Sequence, residues 1–197
     1  MPDVYQGCEQ WNFSLVDPDN RRPVDYAALA RSLDEITAMY GDGWPSPAQW
    51  AALNRDAADG RIKQLVTWRL LKLRRERSTL FRNGNYQALA VEGQAEQHAV
   101  AFARSHEREA VLVVVARLTC TLCGGDDAAW QPDLWQGTQL RCGLEGTGTR
   151  RPRRWRNWLT GEAIVPGNEE EPTMDLQAVF AGAGGLPFAV LVADNDN

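Results

Sequence analysis

Residues 2 to 25 read PDVYQGCEQWNFSLVDPDNRRPVD, and the rest of the chain is organised around this stretch. Its opening, PDVYQGCE, is predicted to be extended and strand-like, with Val4 as apolar filler and Gly7 letting the backbone pass close to a ligand or a neighbouring strand. Its close, DPDNRRPVD, gathers Asp17, Asp19, Asn20, Arg21, Arg22 and Asp25 around Pro18 and Pro23. Prolines disfavour regular helix and central strand, so this part is predicted to be a rigid, shaped loop. Carboxylates and guanidiniums in such a loop either pair with one another, the commoner outcome, or hold each other so that spare oxygens and N–H groups meet ligand hydroxyls.

Beyond the loop, Tyr26, Leu29, Leu33, Ile36 and Tyr40 recur in steps of three and four, which predicts a helix capped by Asp25 and stopped by Gly41, Gly43 and Pro45. Ser46-Pro47 opens a second helix running to about Ala58. Ile62, Leu65, Val66, Leu70 and Leu73 mark the buried face of a third, ending near Arg77. Its basic set, Arg69, Lys72, Arg74, Arg75 and Arg77, reads as a solvated helix end favoured by the helix dipole.

From Arg82 the pattern changes to short strands separated by turn residues. Ala99 to Arg104 and Ala110 to Leu118 are the clearest, the second apolar enough to be central and buried on both faces. Further strands are predicted at Thr138 to Cys142, Arg154 to Leu159, Glu162 to Val165, Leu176 to Phe180 and Phe188 to Val192. The fold class is therefore α+β, a helical segment over 1–80 followed by an antiparallel β-sandwich over 81–197.

Two further runs bear on family. LVTWRLLKLRRERSTLFRNGNYQAL begins at Leu65, and AFAR spans Ala101 to Arg104. PDVYQGCE resembles the segment around the eighth barrel strand of the α-amylase-type glycoside hydrolases, where P-x-x-Y-x-G-x-E is typical. SLVDPDNRRPVDY, close behind it, resembles the maltooligosyltrehalose synthases, the (1→4)-α-D-glucan 1-α-D-glucosylmutases of that family. The two later runs are similar to their last barrel helix and its exit into the C-terminal domain. Cys8 and Gln10 depart from the pattern, standing where Thr and an apolar residue are expected.

The resemblance implies that residues 1–80 are the last strand, loop and helices of a (β/α)8 catalytic barrel. Residues at the C-terminal end of a barrel strand face the active-site mouth, which makes Tyr5, Gln6 and Glu9 substrate-binding candidates. Trp11 joins them because an indole can stack on a pyranose face, and Asp17, Asp19, Asn20, Arg21 and Arg22 complete the set. The implied substrate is a maltooligosaccharide or α-glucan, and the implied partner is the remainder of the barrel. In the family the catalytic carboxylates lie on earlier strands, so this chain is expected to lack them and to be inactive alone. Barrel surface left uncovered is apolar, which predicts self-association. The alternative reading is a non-catalytic carbohydrate-binding or scaffold module.

Composition narrows the rest. The 197 residues are 44% hydrophobic and 24% charged, globular values, and the net charge of −5 argues against a nucleic-acid partner. No apolar run approaches the ~20 residues that span a bilayer, so a membrane partner is not expected and the cytoplasm is. Four cysteines are too few for a disulfide framework. Cys120-Thr121-Leu122-Cys123 has the spacing of a zinc half-site, but a structural site needs four ligands and no second pair accompanies it. No metal or other cofactor is expected, and neither His98 nor His106 is given a role. Of eight tryptophans, core filling is the reading for most, with Trp11 the exception.

Overall fold

The computed structural model describes residues 5–41, 43–125, 130–145, 152–168 and 170–194. The start of PDVYQGCE lies outside these. The chain folds as two compact units, residues 1–72 and 73–197.

In the first unit, α1 (Tyr26–Tyr40) begins where the Asp25 carboxylate accepts the Ala28 N–H at 2.8 Å, and it ends at Gly41, φ +49°. Helix α2 (Pro47–Arg55) opens with a full capping box: Ser46 Oγ accepts from Gln49 N–H, and Gln49 Oε1 accepts from Ser46 N–H at 2.7 Å. Such a box satisfies two otherwise orphaned N–H groups. Trp50 and Leu53 are the buried face of α2. Helix α3 (Arg61–Glu76) buries Ile62, Leu65 and Leu73, leaves Val66 and Leu70 half-buried, and contains the division between the units.

Two expectations fail here. Residues 5–10 form turns and bends instead of a strand, because a strand needs a neighbour for its N–H and C=O groups and no other strand lies among the described residues of this unit. Arg69 is also not part of a solvated helix end: it is 2% exposed, donates to the Gly43 carbonyl and lies 5.6 Å from the Trp68 ring.

The second unit takes in the end of α3 and α4 (Ser78–Asn83) and, among the described residues, builds two antiparallel sheets. The larger has the order β1 (Asn85–Leu89), β3 (Ala99–His106), β4 (Glu109–Ala116), β9 (Phe188–Ala193), β6 (Trp155–Asn157) and β7 (Ala163–Ile164). The smaller joins β2 (Val91–Glu92), β5 (Gln139–Arg141) and β8 (Thr173–Asp175). β3 and β4 pair over all eight positions, from Ala99 opposite Ala116 to His106 opposite Glu109. One core serves both sheets: Ala103, Leu112, Trp155 and Leu191 from the larger meet Leu140 and Met174 from the smaller. Phe180 and Trp135 complete it, their rings 4.6 Å apart, with Trp130 against both at 5.2 and 6.0 Å.

β4 is central, as expected, but Val115 is 40% exposed; β9 is the strand whose inner four residues are all buried. The run from Leu176 to Phe180 is a helix, α6 (Leu176–Ala181), not a strand. The Asp175 carboxylate caps it at the Gln177 N–H, 3.0 Å away, and Leu176, Val179 and Phe180 fall on one buried helical face. After β4, Leu118 turns the chain at φ +51° into the short helix α5 (Thr119–Cys123). Asp194 is held by Arg154 and Arg156 at 3.5 and 2.6 Å.

Candidate functional site

The charged loop is built by its own side chains. The Asp19 carboxylate reaches back to accept the Leu15 N–H at 2.8 Å, closing a turn in which Asp19 N–H also meets the Val16 carbonyl at 3.0 Å. Arg21 N–H bonds the Pro18 carbonyl, giving a single 3-10 turn over Asp19–Arg21, and the Asp17-Pro18 peptide is cis. Arg21 forks onto both oxygens of Asp17, with Nη2 to Oδ2 at 3.1 Å, and Arg22 pairs with Oδ1 of Asp19. The carboxylate–guanidinium pairing foreseen as the commoner outcome is thus present.

Pairing does not exhaust these groups. The Arg21 and Arg22 side chains are 75% and 70% exposed and Asp17 is 58% exposed, so most guanidinium N–H groups and part of the carboxylate surface still face solvent. Exposed ion pairs are worth only about 0–1 kcal/mol each. A polyhydroxylated ligand can therefore exchange hydrogen bonds with the loop at little cost. Asn20 is exposed beside them.

The other predicted site residues are placed separately. Tyr5 is 75% exposed and Gln6 is exposed; Glu9 is half-buried, with Oε2 enclosed and lacking a hydrogen-bond partner among the described residues. Among the described residues, no hydrogen bond or ion pair ties these three to the loop. Trp11 is anchored: its indole N–H donates to the Ala57 carbonyl at 2.6 Å and Lys63 Nζ lies 5.3 Å from its ring centre. One indole face is therefore shared with a cation, and 45% of the residue remains exposed.

Sequence reasoning passes over the network behind this stretch. Gln10 Nε2 donates to Ser32 Oγ and Gln64 Oε1, each at 3.0 Å; Ser32 Oγ donates to Gln64 Oε1 at 2.7 Å, and Gln64 Nε2 donates to the Leu29 carbonyl at 2.9 Å. Lys63 Nζ adds a bond to the Gln10 carbonyl at 2.9 Å. These contacts clamp the segment before the loop onto α1 and α3. The signal in the sequence is the polar residue at position 10, where an apolar one is expected, together with Gln64 inside the apolar stripe of α3. At Gly7 the close neighbour is a side chain and not a strand: with φ +90°, a Cβ there would lie 2.7 Å from the Val24 side chain.

Among the described residues no three His, Cys, Asp or Glu side chains are grouped to hold a metal ion, and no helix is long and apolar enough to cross a membrane.

No family model matches the chain. It is 32% identical over 195 residues, 99% of its length, to a protein of Mycobacterium tuberculosis named "Putative maltooligosyl trehalose synthase", found in two strains, and covers 19% of that protein. A solved maltooligosyltrehalose synthase variant from Arthrobacter ramosus superposes with a TM-score of 0.64 at 32% identity, over 98% of this chain and 20% of that one. The chain spans about a fifth of the length of the relatives it matches. By sequence and by fold it is related, over nearly all its residues, to one portion of the maltooligosyl trehalose synthases, and the match fits a C-terminal portion.

Proposed function

We propose that the chain works as the C-terminal part of a glucosylmutase, which converts the reducing-end α-1,4 bond of a maltooligosaccharide into an α,α-1,1 bond and so leaves a trehalose unit. The likeness at 32% identity over 99% of the chain carries this reading. On it, residues 1–80 close a (β/α)8 catalytic barrel, residues 81–197 form an antiparallel sandwich, and the protein works in the cytoplasm.

Retaining glycosyl transfer needs a carboxylate nucleophile and a second carboxyl as acid and base. On this reading both lie on earlier barrel strands, and the present chain supplies no catalytic carboxylate. Its own task is positioning. Asp17, Asp19, Asn20, Arg21 and Arg22 hydrogen-bond sugar hydroxyls near the cleaved bond, with Tyr5, Gln6, Glu9 and Trp11 beside them. The loop also keeps water out, since the released glucose must be recaptured at its anomeric hydroxyl instead of being lost to hydrolysis.

The test is Arg22→Ala in a complete synthase carrying this segment, with glucose and trehalose-ended product measured together. The ratio of hydrolysis to isomerisation is expected to rise about tenfold, the size of one hydrogen bond to a charged group. An unchanged ratio would remove the loop from this role.

A further inference from the structure

The Cys120-x-x-Cys123 pair is left unused by the sugar chemistry. It occupies α5, a single short turn entered through Leu118 at φ +51° and left through Gly124 and Gly125 at φ +83° and +143°. Gly125 N–H closes the turn on the Cys120 carbonyl at 3.0 Å. Residues three apart on a helix are surface neighbours, and here both cysteines are among the residues lining one open cavity of about 400 Å³, with Trp130 and Pro187. Among the described residues, a Cβ built on Gly124 or Gly125 meets nothing within 4 Å. A cavity of this size admits a small organic molecule.

The four cysteines differ in access. Cys120 is exposed, Cys123 and Cys8 are half-buried, and Cys142 is buried with its Sγ directed at the Pro172 carbonyl, 3.2 Å away. Side chains three apart on a helix have Cβ atoms ~5–6 Å apart, somewhat wider than a disulfide's ~3.5–4.5 Å. The turn has only to tighten slightly, and a five-residue helix with two glycines behind it is suited to that.

We propose that Cys120 and Cys123 form a reversible dithiol site for low-molecular-weight disulfides, with the cavity receiving the incoming molecule. The Cys120 thiolate attacks one sulfur of RSSR; that S–S bond breaks, the departing thiolate takes up the proton lost by Cys120, and a mixed disulfide remains. The Cys123 thiolate then attacks Sγ of Cys120 and expels the second RS⁻, which leaves as RSH with the Cys123 proton. The protein is oxidised by two electrons and one disulfide is reduced to two thiols. Exposure sets the order: Cys120 attacks and Cys123 resolves.

The test exposes the full chain to glutathione disulfide at about pH 8, just below the ordinary thiol range, then applies acid quenching, alkylation and peptide mass analysis. An internal Cys120–Cys123 disulfide is expected, reversed by dithiothreitol, with Cys142 still alkylated afterwards. Cys123→Ser should accumulate one glutathionyl group at Cys120, and Cys120→Ser should lose most of the modification rate at this pair. Emission from Trp130 should fall as the disulfide forms, a change missing in Trp130→Phe. Equal rates at Cys8, Cys120 and Cys123, or no accumulation at Cys120 in Cys123→Ser, would overturn the proposal. None of these readouts involves sugar, so the result stands apart from the glucosylmutase reading.

Discussion

Gln64 shows how much one side chain can hold. It is 3% exposed, accepts from Gln10 and Ser32 and donates to the Leu29 carbonyl, so its removal strands several polar groups. Gln64→Leu keeps much of the volume but leaves them unpaired, and a loss of about 1–3 kcal/mol is expected in urea unfolding; a change near zero would mean that water takes over these bonds. Cys142 makes the second residue-scale prediction. Burial pushes its thiol up to about 11, whereas in the unfolded chain it ionises near ~8.5. Between those values the unfolded state holds fewer protons than the native one, so this contribution to stability is complete below about pH 8.5 and declines as pH rises to about 11. Wild type should lose more stability than Cys142→Ala over that window, read from urea midpoints at its two ends. Single residues are the least legible scale in sequence. Asp17 and Arg21 can be seen as potential partners because they are local, but Gln10 and Gln64 are 54 positions apart and nothing in the pattern links them.

Elements are legible where period and punctuation agree. Asp25 and Ser46 cap the helices they are expected to cap, because an Asp or Ser before an apolar periodic run satisfies N–H groups that nothing else reaches. The segment at Leu176 misleads because it is short: Leu176, Ala178 and Phe180 fit a period of two, while Leu176, Val179 and Phe180 fit a helix, and the Asp175 cap decides between them. β8 offers only three residues, Thr-Met-Asp, too few for their alternation to stand out, so it is invisible to pattern. Two glycines beside β2 and β5 give a matched test. Gly93 has φ +121°, and a Cβ there would stand 2.2 Å from the Gly137 carbonyl oxygen; Gly137 has φ +71° and open space around it. Gly137→Ala should cost about 1–2 kcal/mol, the left-handed backbone penalty alone. Gly93→Ala should cost about 1–3 kcal/mol more through overpacking against backbone. Equal urea midpoints for the two variants would contradict the close approach.

At the scale of the molecule, the α+β class and the antiparallel pairing are readable from the change of periodicity near Arg82, while the partition into a six-stranded and a three-stranded sheet is not. Strand order depends on which edges meet, and chain distance says little about that: β4 and β9 are hydrogen-bonded neighbours although more than seventy residues separate them. The proposed division of labour predicts that this chain, incubated alone with maltopentaose, releases neither glucose nor a trehalose-ended product by chromatography; turnover by the purified chain would refute the assignment of the catalytic carboxylates elsewhere.

The place of β9 carries a consequence for how the protein is made. This strand, residues 188–193, is inserted between β4 and β6 and bonded to both. A ribosome delivers β4 long before it, so the growing chain emerges with an apolar strand edge, Val111 to Val115, that has no permanent neighbour. Until β9 leaves the exit tunnel the sheet stays split, and during that interval the nascent chain is a natural client for a chaperone that shields sticky edges.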